Sequence, residues 1–260
     1  MFMTCMHNTT PFLSIITVVY NNLPGLVHTF ESIKSQTYAD YEWIVIDGGS
    51  TDGTKEWLSD LFFDRMQYIS ENDAGLYDAM NKGLSRATGD FVWFMNSGDS
   101  IYAIDTLTFL KKHSQNQDVL YGETMLVDDS YNTIGIRSEK TTRVLPKKMS
   151  RFSMIKGMVV CHQSFIPRRS IAPMYDLTYR FSADIDWVIS CLEKAKNIYN
   201  CEVILSNYLV GGLSAQNQKI GWKERWKIYV AHYGFLYTFG AHIYITIRYL
   251  CVYKILKKNY

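Results

Sequence analysis

The stretch Glu42-Trp43-Ile44-Val45-Ile46-Asp47-Gly48-Gly49-Ser50-Thr51-Asp52-Gly53-Thr54 is an apolar run that stops abruptly at small and acidic residues. A short run rich in Val and Ile predicts a strand buried on both faces of a parallel sheet. The same pattern occurs in Ser14-Ile15-Ile16-Thr17-Val18-Val19-Tyr20-Asn21 and in Phe91-Val92-Trp93-Phe94-Met95-Asn96-Ser97-Gly98-Asp99. Each polar cluster falls at the carboxyl end of its strand, the edge where open α/β sheets bind ligands. Carboxylates gathered there suit a metal ion, or the ribose and base of a nucleotide. They would repel bare phosphate unless a cation stood between.

Working outward, strands are expected at Leu13–Tyr20, Glu42–Asp47, Gln67–Ser70 and Phe91–Met95. Asn21 to Gly25 reads as a turn, and Leu26–Gln36 shows helical spacing. A helix capped by Asp52 or Thr54 is expected to run to about Asp64, and another over Leu76–Ala87. This alternation predicts a right-handed parallel α/β half over about 12–100. The pattern then loosens. A helix over Ile104–His113, strands within Asp118–Val127, a strand at Ser164–Pro167, a helix over Asp184–Ala195 and a strand at Ile198–Ser206 make a second half, about 101–215. Thr133–Ser150 is basic and without periodicity, a flexible loop in expectation. Its neighbourhood holds Arg143, Lys147, Lys148 and Arg151, read as a solvated face or as cations facing a lipid diphosphate. Val210 to Ser214 reads as a turn whose amides could meet a donor phosphate.

From 216 to 260 the character changes. Aromatic and aliphatic residues from Trp222 to Val252 alternate with Lys223, Arg225, Lys227, Arg248, Lys254, Lys257 and Lys258. His232, His242 and many Tyr interrupt the apolar stretch, so an interfacial, membrane-associating helix pair is expected rather than a span.

The 260 residues allow one large domain with an appendage and a sizeable core. Hydrophobic content of 47% excludes a disordered chain, and a net charge of +2 does not imply nucleic-acid binding. Five scattered cysteines, none in a C-x-x-C pair, speak against a disulfide framework or a zinc site and fit a reducing compartment. Met1 to Pro11 lacks the pattern of a secretory signal. Oligomeric state is left open.

With Glu71-Asn72-Asp73-Ala74-Gly75-Leu76-Tyr77-Asp78-Ala79-Met80-Asn81-Lys82-Gly83 placed between the second and fourth strands, the chain over about 12–215 resembles the family 2 glycosyltransferases of the GT-A type. It is most similar to the subgroup represented by the colanic-acid glycosyltransferases. That resemblance implies a Rossmann-like nucleotide-binding half with a mixed central sheet. It implies inverting transfer of a sugar from a nucleotide-sugar donor to a lipid-linked saccharide, in bacterial exopolysaccharide, capsule or O-antigen assembly. The protein would be cytoplasmic and peripheral on the inner face of the membrane. Asp47 would bind the base, with Tyr20 and Asn21 beside it. Ser50, Asp52, Asp78, Asn81, Lys82, Ser97 and Gly98 would border the donor, and His162 and Gln163 the diphosphate or acceptor.

The resemblance also implies that Asp99 holds a divalent cation, Mg²⁺ or Mn²⁺. The family's acidic triplet is reduced here to Asn96, Gly98 and Asp99, but Mg²⁺ often takes only one or two carboxylates. The family's base maps to Asp184, with Asp186 the rival. Two residues apart on a helix point about 200° away from each other, so only one can face the acceptor. Each acid has a plainer reading: Asp47 as a turn residue, and Asp52, Asp99, Asp184 or Asp186 as helix caps. Two other classes stay open. A sugar nucleotidyltransferase would carry a Gly-rich basic loop where Tyr20-Asn21-Asn22 stands. A non-catalytic partner that kept the fold would explain the missing acids at 96 and 98.

Overall fold

The computed structural model describes residues 10–211 and 218–255. Four strands, β1 (Leu13–Val19), β2 (Tyr41–Asp47), β3 (Met66–Ser70) and β4 (Phe91–Phe94), form a parallel sheet in the order β3-β2-β1-β4. Its connections are α1 (Leu23–Lys34), α2 (Thr54–Asp60) and α3 (Leu76–Arg86). Side chains alternate between faces along a strand, and here the two faces serve two cores. Ile16, Val18, Ile44, Ile46, Val92 and Phe94 pack with α3 on one face. Leu13, Ile15, Val19, Trp43, Val45 and Trp93 pack with α1 on the other.

A second, mixed sheet follows, in the order β5 (Ser100–Ile101), β9 (Ile198–Leu209), β6 (Val119–Val127), β7 (Thr133–Ile136). Strand β8 (Phe165–Pro167) pairs with β6. Helices α4 (Thr106–His113) and α6 (Ala183–Lys194) flank it, with the short α5 at Arg137–Lys140. Helix α7 (Gln218–Tyr233) and α8 (Phe235–Ile255) close the described chain.

Several boundaries differ from expectation, each for a local reason. Helix α1 starts at Leu23, not Leu26, because Asn22 caps it through Gly25 N (3.2 Å) and Pro24 fits a first turn that needs no donor. Helix α2 ends at Asp60, because Leu61 turns extended and delivers Phe63 onto Phe30 (5.3 Å). Thr133–Ser150 is not one loop. It opens with β7 and α5, where the buried Arg137 donates to the carbonyls of Met158 (2.6 Å) and Val159 (3.1 Å). The expected tail is helical over 218–255 and packs in part on the body. Ile228 and Tyr229 of α7 are fully buried, and the Tyr229 hydroxyl donates to Met154 O at 2.7 Å. Gly212, Leu213 and Ser214 of the expected turn lie outside the described residues.

The parallel half is drawn tight behind the site. Gly89 N donates to Ser14 Oγ (2.9 Å) and to the buried Glu42 carboxylate (3.1 Å). A methyl group at Gly89 would lie 2.6 Å from Ser14 N and 2.8 Å from Leu13 C, backbone atoms that cannot step aside. Gly89→Ala is expected to lower stability by about 2–3 kcal/mol, the usual cost of overpacking. A urea transition at the wild-type midpoint would contradict this.

Candidate functional site

Parallel register sets Val19, Asp47 and Ser70 side by side at the carboxyl edge. The loops beyond them are tied to one another. Asn21, in the left-handed region at φ 49°, donates its N–H to Ser50 Oγ (2.7 Å), and its Oδ1 accepts from Thr51 N (2.8 Å). Asp52 accepts from Leu23 N (2.8 Å) and from Thr54 Oγ1 (2.6 Å), so it joins α1 to α2. The Ser97 hydroxyl donates to Asn22 O (3.0 Å), and Gly98, at φ 99°, donates to Gly25 O (3.1 Å). Tyr20 is left 66% exposed, with its ring over Gly48.

Asp47 is fully buried, and both of its oxygens are engaged. Oδ1 accepts from Ser50 N (3.1 Å) and the Ser50 hydroxyl, Oδ2 from Ser70 Oγ (2.6 Å). Its turn-organising role is therefore realised. The loop Glu71 to Asp73 closes over Gly48 and Gly49, where a side chain at Gly48 would meet the Asp73 carboxylate. Asp73 was not among the expected site residues. An acid one residue from the Ala74-Gly75 bend that opens α3 was the available signal.

Three expected donor residues also brace the fold. Asp78 accepts from Ala74 N (3.0 Å), and Lys82 pairs with Glu71 (2.9 Å) while donating to Asn72 O (2.9 Å). Asn81, expected to border the donor, is instead buried and clamps both backbone groups of Tyr175, at 3.0 and 2.7 Å. This amide holds the two halves together.

Asp99 is buried at the junction of the halves. Oδ1 accepts from Leu209 N (3.0 Å) and Oδ2 from Gln163 Nε2 (2.8 Å). Gln163 is thus an arm that positions Asp99. Burial drives the Asp99 carboxyl up to about 7 despite these two donors. Nearby, Asn96 Oδ1 is buried with no hydrogen-bond partner. A hard cation suits this donor set: a carboxylate with lone pairs to spare and an orphaned amide oxygen, the shell completed by phosphate and water. Among the described residues no three His, Cys, Asp or Glu side chains gather to make a protein-only metal cage.

His162 is placed inside an aromatic box rather than on the edge. It packs on Phe94 (5.2 Å) and Trp187 (5.3 Å), and its Nε2 meets the Tyr175 hydroxyl at 2.7 Å. Burial pushes it down to about 4. It therefore carries no charge at neutral pH. The unfolded chain takes up this proton near pH 6.5 and the folded one only near 4, so this contribution to stability falls as pH drops between them. In a His162→Gln variant the difference from wild type is expected to shrink by up to about 3 kcal/mol over that window. Parallel urea curves at pH 7 and pH 4.5 check it; a constant difference would count against the buried neutral ring.

Helix α6 presents both candidate bases, and their surroundings separate them. Asp184 Oδ1 accepts from the Tyr77 hydroxyl at 3.3 Å, and burial raises its carboxyl above the ordinary range. Asp186 pairs with His232 Nε2 at 2.8 Å, tying α6 to α7. Tyr77 was not singled out in the sequence. It stacks on Tyr175 (5.4 Å), which stacks on Trp187 (5.1 Å), so the donor-side helix α3 steadies Asp184 through rings and a hydroxyl.

The profile of Glycosyl transferase family 2 matches residues 14–173. A PGL/p-HBAD biosynthesis glycosyltransferase of Mycobacterium bovis BCG is 33% identical over 218 residues, covering 78% of this chain and 79% of its own. Among solved structures, S. aureus TarS in complex with UDP-GlcNAc aligns with a TM-score of 0.65 at 19% identity, over 84% of this chain and 66% of that one. The mannosyltransferase PcManGT of Pyrobaculum calidifontis, with GDP-Man and Mn²⁺, aligns with a TM-score of 0.60 at 18% identity, over 86% and 64%.

Proposed function

The chain belongs to glycosyl transferase family 2, and from that premise we propose that it transfers a sugar, with inversion, from a nucleotide sugar to a lipid-linked saccharide. It is a glycosyltransferase of GT-A fold. The observation that carries the finer reading is two acids, one on each half, whose surroundings raise both carboxyls above the ordinary range: Asp99 is buried and Asp184 half-buried. Asp99 closes the loop edge beside Asn96, and Asp184 stands on α6 with Tyr77 reaching it from the donor-side helix. In this reading the Asn21, Asp47 and Asp73 loops receive the nucleotide. Asp99 and Asn96 would hold a divalent cation, which offsets the charge of the leaving diphosphate when bound. Asp184 takes the proton of the attacking acceptor hydroxyl, and its raised affinity for protons suits a general base. Tyr77 holds the carboxylate in place, and the buried ring of His162 supports Tyr175 behind it.

The structural neighbours are solved with UDP-GlcNAc and GDP-Man, which names the first donors to try. Nucleotide release from UDP- and GDP-sugars, with Mg²⁺ or Mn²⁺ and purified bacterial membranes, tests the assignment. Release that depends on membranes and cation supports it. No release from any nucleotide sugar would overturn it in favour of a binding role.

The same reading places the protein on the cytoplasmic face of a membrane, as a peripheral protein. No helix among the described residues is long and apolar enough to cross one. Support comes from α8, which exposes Phe235, Leu236, Tyr237, Phe239 and Ile247, with Leu236 83% exposed. Lys223 and Lys227 lie exposed on α7, and each basic residue near anionic lipid contributes about 1 kcal/mol. The double variant Leu236→Glu, Phe239→Glu is expected to leave the membrane pellet for the supernatant with an unchanged melting temperature. Equal pelleting of both proteins would remove α8 as the anchor.

A further inference from the structure

Three buried side-chain polar atoms among the described residues have no hydrogen-bond partner: Asn96 Oδ1, Arg225 Nε and His242 Nε2. Folded proteins satisfy nearly all such atoms, so each one asks what it is for. The first belongs to the donor loop. The other two lie on α7 and α8, their side chains both meeting the Trp222 ring, outside the site described above.

Arg225 lies one turn beyond Gly221 on α7. The Gly221 carbonyl accepts from Ser182 Oγ (3.3 Å), and the carboxylate of neighbouring Glu224 accepts from Arg180 N (2.7 Å) and Phe181 N (2.9 Å). This face of α7 is therefore fastened to the segment that delivers Asp184. The Arg225 guanidinium makes no hydrogen bond or ion pair with any described residue, and it rests over the Trp222 ring at 5.7 Å. The Arg225 charge acts on the half-buried Asp184 carboxylate, yet the two form no ion pair, so the guanidinium is a fork held open for an anion.

His242 packs edge-on against Trp226 (4.8 Å) and Trp222 (6.1 Å). Its Nδ1–H donates to Thr238 O (3.0 Å), since a carbonyl can only accept. Burial lowers its proton affinity, and the Arg225 charge lowers it further, so the ring is neutral and Nε2 is a bare acceptor. Beyond it opens a groove of about 310 Å³, walled by Trp226, Phe239, Ile243, Thr246 and Ile247. Cation, acceptor and apolar groove are linked in that order: Arg225 and His242 both meet the Trp222 ring, and His242 lines the groove. That sequence matches an amphiphile with an anionic head.

We propose that Arg225 receives a phosphate group of the acceptor, that His242 Nε2 accepts a hydrogen bond from the same head, and that the groove holds the adjoining alkyl chain. The proposal rests on the reading that Asp184 faces the acceptor. A bilayer phospholipid offers the same phosphate chemistry, so the test must separate the two sources.

Dodecyl phosphate, dodecyl maltoside and sodium phosphate, each below any micelle threshold, are titrated against the full chain by tryptophan fluorescence. Dodecyl phosphate is expected to bind tightest of the three. Its affinity should fall at least tenfold in Arg225→Gln and recover in part in Arg225→Lys, which restores charge without the fork. Asp184→Asn should bind it several-fold tighter, because a negative charge beside the head is gone. Binding of phosphatidylglycerol vesicles should be the same in Arg225→Gln as in wild type. Unchanged dodecyl phosphate affinity in Arg225→Gln would overturn the site. So would equal binding of dodecyl maltoside, or a parallel loss of vesicle binding, which would hand Arg225 to the bilayer. Failure of the base assignment shows separately, as an Asp184→Asn enzyme that still turns over. Equal melting temperatures for wild type and Arg225→Gln confirm the fold, since among the described residues the guanidinium has no hydrogen bond or ion pair to lose.

Discussion

Asp184→Asn is expected to lower kcat by at least about 10², while donor affinity changes little. Loss of a positioned base typically removes 10²–10⁴ in rate. The amide keeps the shape of the carboxylate and can still accept from the Tyr77 hydroxyl, which reaches Oδ1 at 3.3 Å. What disappears is the capacity to take a proton. Because the contact matters mainly in the transition state, KM for the donor should hold. Asp186→Asn separates the rivals. Its carboxylate is committed to His232 at 2.8 Å, and that imidazole also meets Glu193 at 3.2 Å. Its amide variant should keep most of kcat and lose some stability at pH values where His232 is charged. The hydrogen bond it donates to the Asp186 carboxylate raises the proton affinity of that histidine, so the effect fades as pH rises through its shifted range. A dead Asp186→Asn beside an active Asp184→Asn would reverse the assignment. Two active variants would place the base elsewhere.

Asp99→Asn is expected to abolish transfer and, unusually, to stabilise the protein above neutral pH when no cation is present. The folded carboxyl titrates at about 7, against 3.8 in the unfolded chain. Between those values the folded state binds the extra proton, so stability falls as pH rises through that window. Above pH 7 the full cost of the buried charge is present, at most about 4 kcal/mol. The amide removes that cost. It also fits its neighbours: Leu209 N can donate to the new oxygen, and Gln163 can turn its amide to present Oε1 to the new NH₂. Only the contact from Cys161 Sγ to Gln163 Oε1 is given up. A residue that destabilises the fold yet cannot be spared is a functional trade-off. Thermal melting at pH 8 in EDTA, with nucleotide release measured alongside, checks both halves. A variant that is less stable and fully active would refute the assignment.

The parallel half was legible in the chain itself. Ile44 to Ile46 and Val92 to Phe94 are runs whose neighbours are all apolar, and their ends at Asp47 and Asn96 mark the loop edge. Such patterns are local, set within a few residues, and burial on both faces leaves them little choice. The second half was less legible because its partners are remote. Strand β9 pairs with β6 across some eighty residues, and the basic run after Thr133 owes its order to Arg137 reaching the carbonyls at 158 and 159.

The choice between Asp184 and Asp186 shows where local reading ends. Helical periodicity said that only one of them could face the acceptor, and each had equal claim as a cap. What separates them comes from elsewhere in the chain: Tyr77, 107 positions before Asp184, and His232, 46 positions after Asp186. The same holds for His162, whose neutrality depends on Phe94, Tyr175 and Trp187 closing around it, and for Arg225, whose unpaired state depends on α7 packing beside α6. The chain by itself determined the fold class, the loop edge of the parallel sheet and the acids gathered there. Protonation, pairing and orientation were decided only by the tertiary structure, because desolvation and hydrogen bonding depend on which distant groups come to surround a side chain.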